Sequence, residues 1–161
     1  MTDLKTSSNE RSQPVPKWFA VSLLAVSLVG FLDSAYLAAK HFFGSPVTCF
    51  IVEGCETVTT SRFATVAGIP VALLGAFYYL GIFLLAVAYL DTKRAAFMKL
   101  AARLTFVGFL ASLWFIYVQA FVLEAWCIYC LVSATTSTIL FILSLVFLFV
   151  LPVLNARRPI S

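Results

Sequence analysis

Long apolar runs, separated by short polar stretches, set the pattern of this chain. Four runs span roughly residues 18–42, 69–90, 100–123 and 128–151. Each holds at least ~20 residues, and a helix of that length, rising about 1.5 Å per residue, crosses a hydrocarbon core of roughly 30 Å. The pattern therefore predicts an all-α integral membrane protein, a bundle of four transmembrane helices with both termini on the same side.

Two tails flank the predicted membrane domain, which extends over residues 18–151. Residues 1–17 are polar, contain several serines and prolines, and are predicted to form a disordered tail, while residues 152–161 form a second short tail. The first apolar run exceeds the 7–15 residues usual for the core of a secretory signal peptide. We therefore expect it to be a retained helix.

The connection between the first two helices, residues 43–67, is long for so small a membrane protein. Long loops in compact proteins are usually functional or disordered. This one contains apolar residues such as Val58 and Phe63, which predicts that it packs over the bundle. We expect a short interfacial helix over residues 56–63, with Pro70 in the first turn of the second membrane helix.

Composition agrees with a bilayer environment and changes the interpretation of the charge. Of 161 residues, 62% are hydrophobic and 11% are charged, and the mean hydropathy is +1.01. A soluble domain carries about 25% charged residues. The net charge of +4 and pI near 9.0 are also found in nucleic-acid-binding proteins. Here the basic residues lie at the edges of apolar segments, where they act as orientation signals, so nucleic acid is not an expected partner.

The distribution of basic residues predicts the orientation. Of the 11 lysines and arginines, all but Lys40 and Arg62 lie in the N-terminal tail, in or near the connection between the second and third helices, or at the C-terminal end. Cytoplasmic connections carry this excess. We therefore predict a multi-pass protein of the cell (inner or plasma) membrane with both termini cytoplasmic. All four cysteines then lie at the outer face, where disulfides persist.

A Cys-x-x-Cys motif, Cys127 to Cys130, opens the fourth predicted helix. Residues three apart share a helix face, and backbone N–H groups at a helix start favour the thiolate, which is the reactive form. The same motif also forms half of a zinc site, but completing that site would need Cys49 and Cys55, at unsuitable spacing, or His41. The motif therefore favours redox chemistry, with no metal expected and a structural disulfide as the alternative.

A second pair, Cys49 and Cys55, lies in the external connection. Alone, the pair would suggest a structural staple of the loop. Beside a membrane-embedded Cys-x-x-Cys on the same face, it suggests a relay, in which one pair meets a soluble partner and the other a lipid-soluble acceptor.

Asp33 lies well inside the first helix, where a carboxylate is costly. Both a functional and a neutral, hydrogen-bonded role fit Asp33.

The order of these residues resembles the vitamin K epoxide reductase family. Two loop cysteines six residues apart, Cys49 and Cys55, are followed after six residues by Ser61 and later by Cys127 and Cys130. The resemblance is to the bacterial branch, without a fused thioredoxin-like domain, and covers about residues 18–150. The segments that carry it include residues 32–37 (LDSAYL), 54–58 (GCETV), 61–63 (SRF) and 68–75 (GIPVALLG).

This resemblance implies a mechanism. The four helices would surround the head group of a quinone (ubiquinone, menaquinone or related), with Cys130 facing it and Ser61 beside that sulfur. Cys127 would be the partner of Cys130 and exchange with Cys55, and Cys49 would meet a periplasmic or extracytoplasmic thioredoxin-like dithiol protein acting in trans. The protein would oxidise the dithiols of that partner and reduce the quinone, which supports disulfide-bond formation.

Two positions differ from vertebrate members of the family. Ala134 stands where those members carry a tyrosine that contacts vitamin K, and Val71 aligns with an asparagine of their second helix. The resemblance thus implies quinone reduction and does not extend to the residues that contact vitamin K in vertebrate members.

Three other interpretations fit parts of the pattern. The disulfide-bond protein B family is also four-helical and coupled to quinones, but it places Cys-x-x-Cys in the first external connection, the reverse of the order here. A non-enzymatic membrane scaffold would use both cysteine pairs as structural disulfides. A small transporter would be expected to have paired broken helices, which the sequence lacks.

Overall fold

The computed structural model describes residues 17–44, 47 and 54–150. The two predicted tails lie outside this part except for Lys17, which is the first residue of a helix. Cys49 also lies outside the described residues.

Four long helices form the body of the protein: α1 Lys17–Phe42, α3 Val71–Thr92, α4 Ala95–Tyr117 and α5 Ile128–Leu145. Helix α4 continues in a π-helical segment, Val118–Val122, and α5 in another, Val146–Val150. Within the described residues, four helices are long and apolar enough to cross a membrane: Trp18–Phe42, Val71–Thr92, Ala96–Val122 and Ile128–Phe149. The prediction of an all-α membrane bundle of four helices is confirmed.

A tight reversal joins α3 to α4 and explains why α4 begins five residues earlier than the apolar run. Lys93 ends α3 in the left-handed conformation (φ 55°), and its N–H donates to the carbonyl oxygen of Tyr89 at 2.8 Å. This is the usual way in which a helix closes its last turn. Helix α4 then begins at Ala95, and Lys99 in its second turn interrupts the apolar pattern, which is why the apolar run begins at residue 100.

The connection between α1 and α3 contains several short elements. The first is α2, Cys55–Thr60, followed by a 3-10 turn, Arg62–Ala64. Strands β1, Thr65–Val66, and β2, Ile69–Pro70, then form a small antiparallel hairpin. The single helix expected over residues 56–63 is thus two shorter turns. Pro70 precedes α3 as its N-cap instead of lying in its first turn.

Two buried clusters lie at opposite ends of the bundle, in which α1 packs against α3 and α5, and α4 packs against the same two helices. The larger cluster includes Phe19, Leu23, Ile82, Met98 and Leu140. The smaller, here named the loop-end cluster, consists of Leu37, Val47, Cys55 and Cys127. The end of the bundle that carries α2 and the hairpin is named the loop end.

Candidate redox site

The Cys-x-x-Cys motif lies at the loop end, at the start of α5. Cys127 is the N-cap in an extended conformation (φ −110°, ψ 116°), and its carbonyl oxygen accepts the N–H of Leu131 at 3.0 Å. Cys130 lies one turn further, in the helix. Both are free thiols, but Cys127 is fully buried whereas Cys130 is partly exposed. The two sulfurs of the motif therefore have different surroundings.

Hydrogen bonds to the sulfur of Cys127 lower the pKa of its thiol. Its pKa is lowered from 9.0 to about 7, first by a hydrogen bond from the Cys130 thiol and then by the backbone N–H groups of Cys130 and Tyr129. Burial and the negative charge of Asp33 oppose this lowering of the pKa. The free N–H groups of a helix start thus act on Cys127 as the sequence suggested, and the neighbouring thiol adds the largest contribution.

Gln119 holds the segment that precedes the motif. Its side chain is 2% exposed, and its Oε1 accepts the backbone N–H of Cys127 at 2.9 Å. Its Nε2 donates to the carbonyl oxygen of Phe115 at 3.4 Å, and its own carbonyl oxygen accepts the N–H of Ala125 at 3.2 Å. The π-helical segment widens the end of α4 here, which is common near functional sites. Sequence reasoning missed Gln119, although an isolated amide eight residues before Cys127 in an apolar run was a signal.

A cavity of about 380 Å³ lies at the loop end, enclosed by α1, α3, α4, α5 and the α2–hairpin segment. Cys130 lines this cavity, but Cys127 does not. The walls are mainly apolar, with a few hydroxyl and amide groups. The apolar lining includes Val58, Phe63, Leu74, Val107 and Phe115, and the polar lining includes Ser61, Tyr79, Gln119 and Ser133.

Ser61 lies at the C-terminal end of α2 and lines the same cavity as Cys130. Its hydroxyl donates to the carbonyl oxygen of Val58 at 2.8 Å. In this orientation the Ser61 oxygen can only accept a hydrogen bond from a molecule in the cavity. Donating to a thiolate or a carbonyl oxygen, as the sequence resemblance implies, requires the hydroxyl to rotate.

The loop helix rests on the backbone that leads into the motif. A Cβ on Gly54 would lie 2.8 Å from the carbonyl oxygen of Trp126 and 2.9 Å from its nitrogen. A glycine is therefore required for this close approach, and it places Cys55 in the loop-end cluster with Cys127. Cys55 is disulfide-bonded. The site thus joins Cys55, Cys127 and Cys130 in one region, with Cys49 outside the described residues.

The comparison with known proteins identifies the family. Residues 21–145 match the profile of the Vitamin K epoxide reductase family. The chain belongs to this family. A search of curated proteins gives no match. Membership in the vitamin K epoxide reductase family identifies a membrane redox enzyme, in general a thiol–quinone oxidoreductase.

The cavity of this vitamin K epoxide reductase family member suits the head group of a quinone. Small-molecule sites are typically mostly apolar clefts of about 300–1,000 Å³ with a few placed polar groups. Here Phe63 and Phe115 provide apolar surface, Ser61 and Ser133 provide hydroxyl groups, and Cys130 provides a thiol. The two positions that differ from vertebrate members, Val71 and Ala134, also line the cavity, and neither offers a hydrogen bond from its side chain.

Proposed function

We propose that this protein oxidises the dithiols of a thioredoxin-like protein and transfers the electrons to a membrane quinone, which supports disulfide-bond formation. One observation carries the proposal: the two sulfurs of the motif face different neighbours. Cys127 is a buried member of the loop-end cluster with Cys55 and does not line the cavity, whereas Cys130 packs against that cluster from outside and lines the apolar cavity. A relay needs this separation, because one sulfur must meet the acceptor while the other exchanges with the loop pair.

The first half of the proposed cycle reduces the loop pair, with Cys49 as the partner of Cys55 in its disulfide. A thiolate of the soluble protein attacks the sulfur of Cys49, and Cys55 leaves as a thiolate. The second thiol of the soluble protein then closes its own disulfide and releases Cys49. These are ordinary thiol–disulfide exchanges through a mixed disulfide.

The second half moves the electrons into the membrane. The Cys55 thiolate attacks Cys127 of a Cys127–Cys130 disulfide, and Cys130 leaves. Cys49 then attacks Cys55, and this releases Cys127, so that the motif is reduced. The packing of Cys55 and Cys127 in one cluster supports this exchange.

A quinone bound in the cavity supplies an acceptor for two electrons and two protons. The chain's own groups determine how these arrive. Cys130 presents its sulfur to the cavity, and the Cys127 thiolate stands ready to close the disulfide with Cys130 as the electrons leave. Phe63 and Phe115 give this part of the cavity apolar walls, which favour an apolar acceptor.

We also propose that the loop end faces the outside of the cell membrane and that both tails, residues 1–17 and 152–161, are cytoplasmic. Support comes from the charges: the connection between α3 and α4 carries Lys93 and Arg94 at the opposite end of the bundle from α2. Excess Lys and Arg mark the cytoplasmic side. The outer side is the compartment in which disulfides persist and a soluble dithiol partner would be found.

The proposal is tested with purified protein in detergent, a reduced thioredoxin-like protein and a ubiquinone analogue, by following quinone absorbance. We expect quinone reduction by the wild type, and loss of it in Cys130→Ala. Ser22→Ala, at the far end of α1, is the control and should keep the wild-type rate. A scaffold with two structural disulfides would give no dithiol-dependent reduction by any variant, and this result would refute the proposal.

A further inference from the structure

Asp33 is a carboxylate inside a membrane-spanning helix, and no step described above uses it. It lies in the span Trp18–Phe42. Its Oδ2 atom is buried and has no hydrogen-bond partner among the described residues. An ionisable group at such a depth is costly, and those that occur usually face the bundle interior and serve proton or ion transfer.

The neighbours of Asp33 along α1 show which way its carboxylate points. Residues three and four positions apart share a helix face. Gly30, three positions before Asp33, lies so close to the ring of Tyr79 that a Cβ would clash with it. Leu37, four positions after, packs in the loop-end cluster with Cys127. Asp33 itself is half-buried, at the border between this face and the exposed side of α1 that carries Val29 and Tyr36, and its buried Oδ2 lies on the side of Tyr79 and the start of α5.

The titratable groups that face Asp33 belong to two elements. Its charge interacts with Tyr79 from α3, and with Cys127, Tyr129 and Cys130 from the start of α5. At Cys127 this charge opposes the lowering of the pKa, so that an ionised Asp33 and an ionised Cys127 disfavour one another. It is therefore easier to move one proton between Asp33 and Cys127 than to ionise both groups at the same time.

A group of hydroxyls lies between α3 and α5, beside the cavity. The Tyr79 hydroxyl donates to the carbonyl oxygen of Ser133 at 2.6 Å and lies 3.1 Å from the Ser133 hydroxyl and 2.9 Å from that of Thr136. Tyr79 and Ser133 line the cavity together with Cys130. Hydroxyl groups both donate and accept, so they can pass a proton.

We propose that Asp33 is the proton-transfer residue of the Cys127–Cys130 pair. This rests on the proposed function. When the Cys127–Cys130 disulfide closes, the dithiol loses two electrons and two protons, and the quinone gains the same number. The Cys130 proton, which is shared with Cys127 in a hydrogen bond, is released on the cavity side, towards the quinone, as the sulfur–sulfur bond forms. The Cys127 proton passes to the carboxylate of Asp33 and then, through the hydroxyls of Tyr79 and Ser133, to a quinone oxygen, which leaves Asp33 ionised again.

Turnover provides the first test, with three variants of the full chain. Asp33→Asn cannot carry the proton, so we expect kcat to fall at least about tenfold, since a positioned acid–base group typically contributes ~10²–10⁴. Asp33→Glu restores a carboxyl group and should recover part of the rate. Asp91→Asn removes an exposed carboxylate at the far end of α3 and should leave kcat unchanged.

A second measurement needs no quinone. Thiolate absorbance is titrated against pH in reduced protein whose Cys49 and Cys55 are replaced by alanine. Asp33→Asn removes the opposing charge, so the Cys127 thiolate should form at lower pH than in the same background with Asp33 present. A more easily ionised thiol combined with slower turnover is the signature of a proton carrier, because a structural role would not lower the titration midpoint.

The outcomes separate this proposal from the proposed function. If Asp33→Asn turns over at the wild-type rate, the role of Asp33 is refuted and the thiol–quinone activity stands. If turnover falls but the thiolate midpoint does not move, Asp33 is structural and the proposal is again refuted. If the wild type itself does not reduce quinone, the proposed function fails, and the titration alone decides whether Asp33 and Cys127 share a proton.

Discussion

At the scale of single residues, the two cysteines of the motif are not equivalent. Cys127 is fully buried, caps α5 and receives hydrogen bonds that favour its thiolate, whereas Cys130 lines the cavity and donates one of those bonds. In exchange reactions the thiolate attacks, and the more acidic thiol is the better leaving group. With its lowered pKa, Cys127 is suited both to attack as a thiolate and to leave as one in exchanges with Cys55 and Cys130.

The acidity of Cys127 should depend on its neighbour. Cys130→Ala removes the largest cause of the lowered pKa, so the pKa of Cys127 should rise from about 7 towards the ordinary 9.0. Between these two pH values, Cys127 would then be mostly a neutral thiol in the variant and mostly a thiolate in its parent. Cys130→Ser retains a donor and should raise the pKa less. Thiolate absorbance against pH, with Cys49 and Cys55 replaced by alanine, measures this, and identical midpoints for Ala and Ser would contradict it.

Gln119 should contribute through its acceptor atom. Gln119→Leu leaves the buried N–H of Cys127 unsatisfied, which should lower the free energy of unfolding by about 1–3 kcal/mol. Gln119→Glu keeps an acceptor oxygen but loses the donor to Phe115 and buries a negative charge beside Cys127, so it should destabilise at least as much and also raise the Cys127 pKa. Thermal unfolding in detergent and the thiolate titration check the two effects. A leucine variant as stable as the wild type would show that the hydrogen bond is dispensable.

At the scale of elements, the docking of α2 on the segment before α5 brings the loop cysteine to the motif. The close approach of Gly54 to the backbone of Trp126 leaves no space for a side chain. The proposed exchange between Cys55 and Cys127 therefore depends on a backbone contact one residue before each cysteine.

Substitution of Gly54 should separate the two sulfurs. In a Cys49→Ala/Cys130→Ala background, oxidation should join Cys55 to Cys127, and Gly54→Val should reduce the yield severalfold because the valine side chain collides with the Trp126 backbone. Gly81→Ala is the matched control, since nothing lies within 4 Å of a Cβ there. The yield is read as a shift in gel mobility after thiol labelling. An unchanged yield in Gly54→Val would indicate that α2 reaches Cys127 by another route.

The four long helices were predictable because the thickness of the bilayer sets the length of a membrane-spanning helix, and each apolar run in the sequence has that length. The sequence predicted less well where backbone interactions decide the structure. The π-helical segment Val118–Val122 coincides with the bond that Gln119 makes to Cys127, and the hairpin at β1 and β2 places Pro70 before α3. Neither has a periodic signature in the sequence.

The sequence allowed prediction of the reactive groups of the site, but not of the residues that surround them. The spacing of Cys127 and Cys130 indicates shared chemistry, and the resemblance adds Ser61, which lines the cavity with Cys130. Residues such as Tyr79 and Gln119 were not predicted. In a membrane protein both the buried and the lipid-facing sides of a helix are apolar, so the pattern does not reveal which face lines a cavity.

At the scale of the whole molecule, the bundle has an apolar exterior and polar ends. Large apolar side chains such as Phe77, Phe121 and Phe149 are exposed on the helix surfaces, as expected where lipid is the solvent. The basic connection between α3 and α4 and the α2 segment lie at opposite ends. The proposed mechanism requires that only the α2 end meet the oxidising compartment.

This orientation predicts the accessibility of the two ends in intact cells. Thr57 of α2 and Thr92 at the end of α3 are both exposed, so cysteines placed there in a cysteine-free variant differ mainly in the side of the membrane that they occupy. An impermeant maleimide should label Thr57→Cys in intact cells and Thr92→Cys only after the membrane is permeabilised, because the charged reagent does not cross the hydrocarbon core. Equal labelling of both after permeabilisation is the control for thiol reactivity. Labelling of Thr92→Cys alone in intact cells would place the redox site in the cytoplasm, where thioredoxin and glutathione keep thiols reduced, and the proposed oxidation of a partner would lose its compartment.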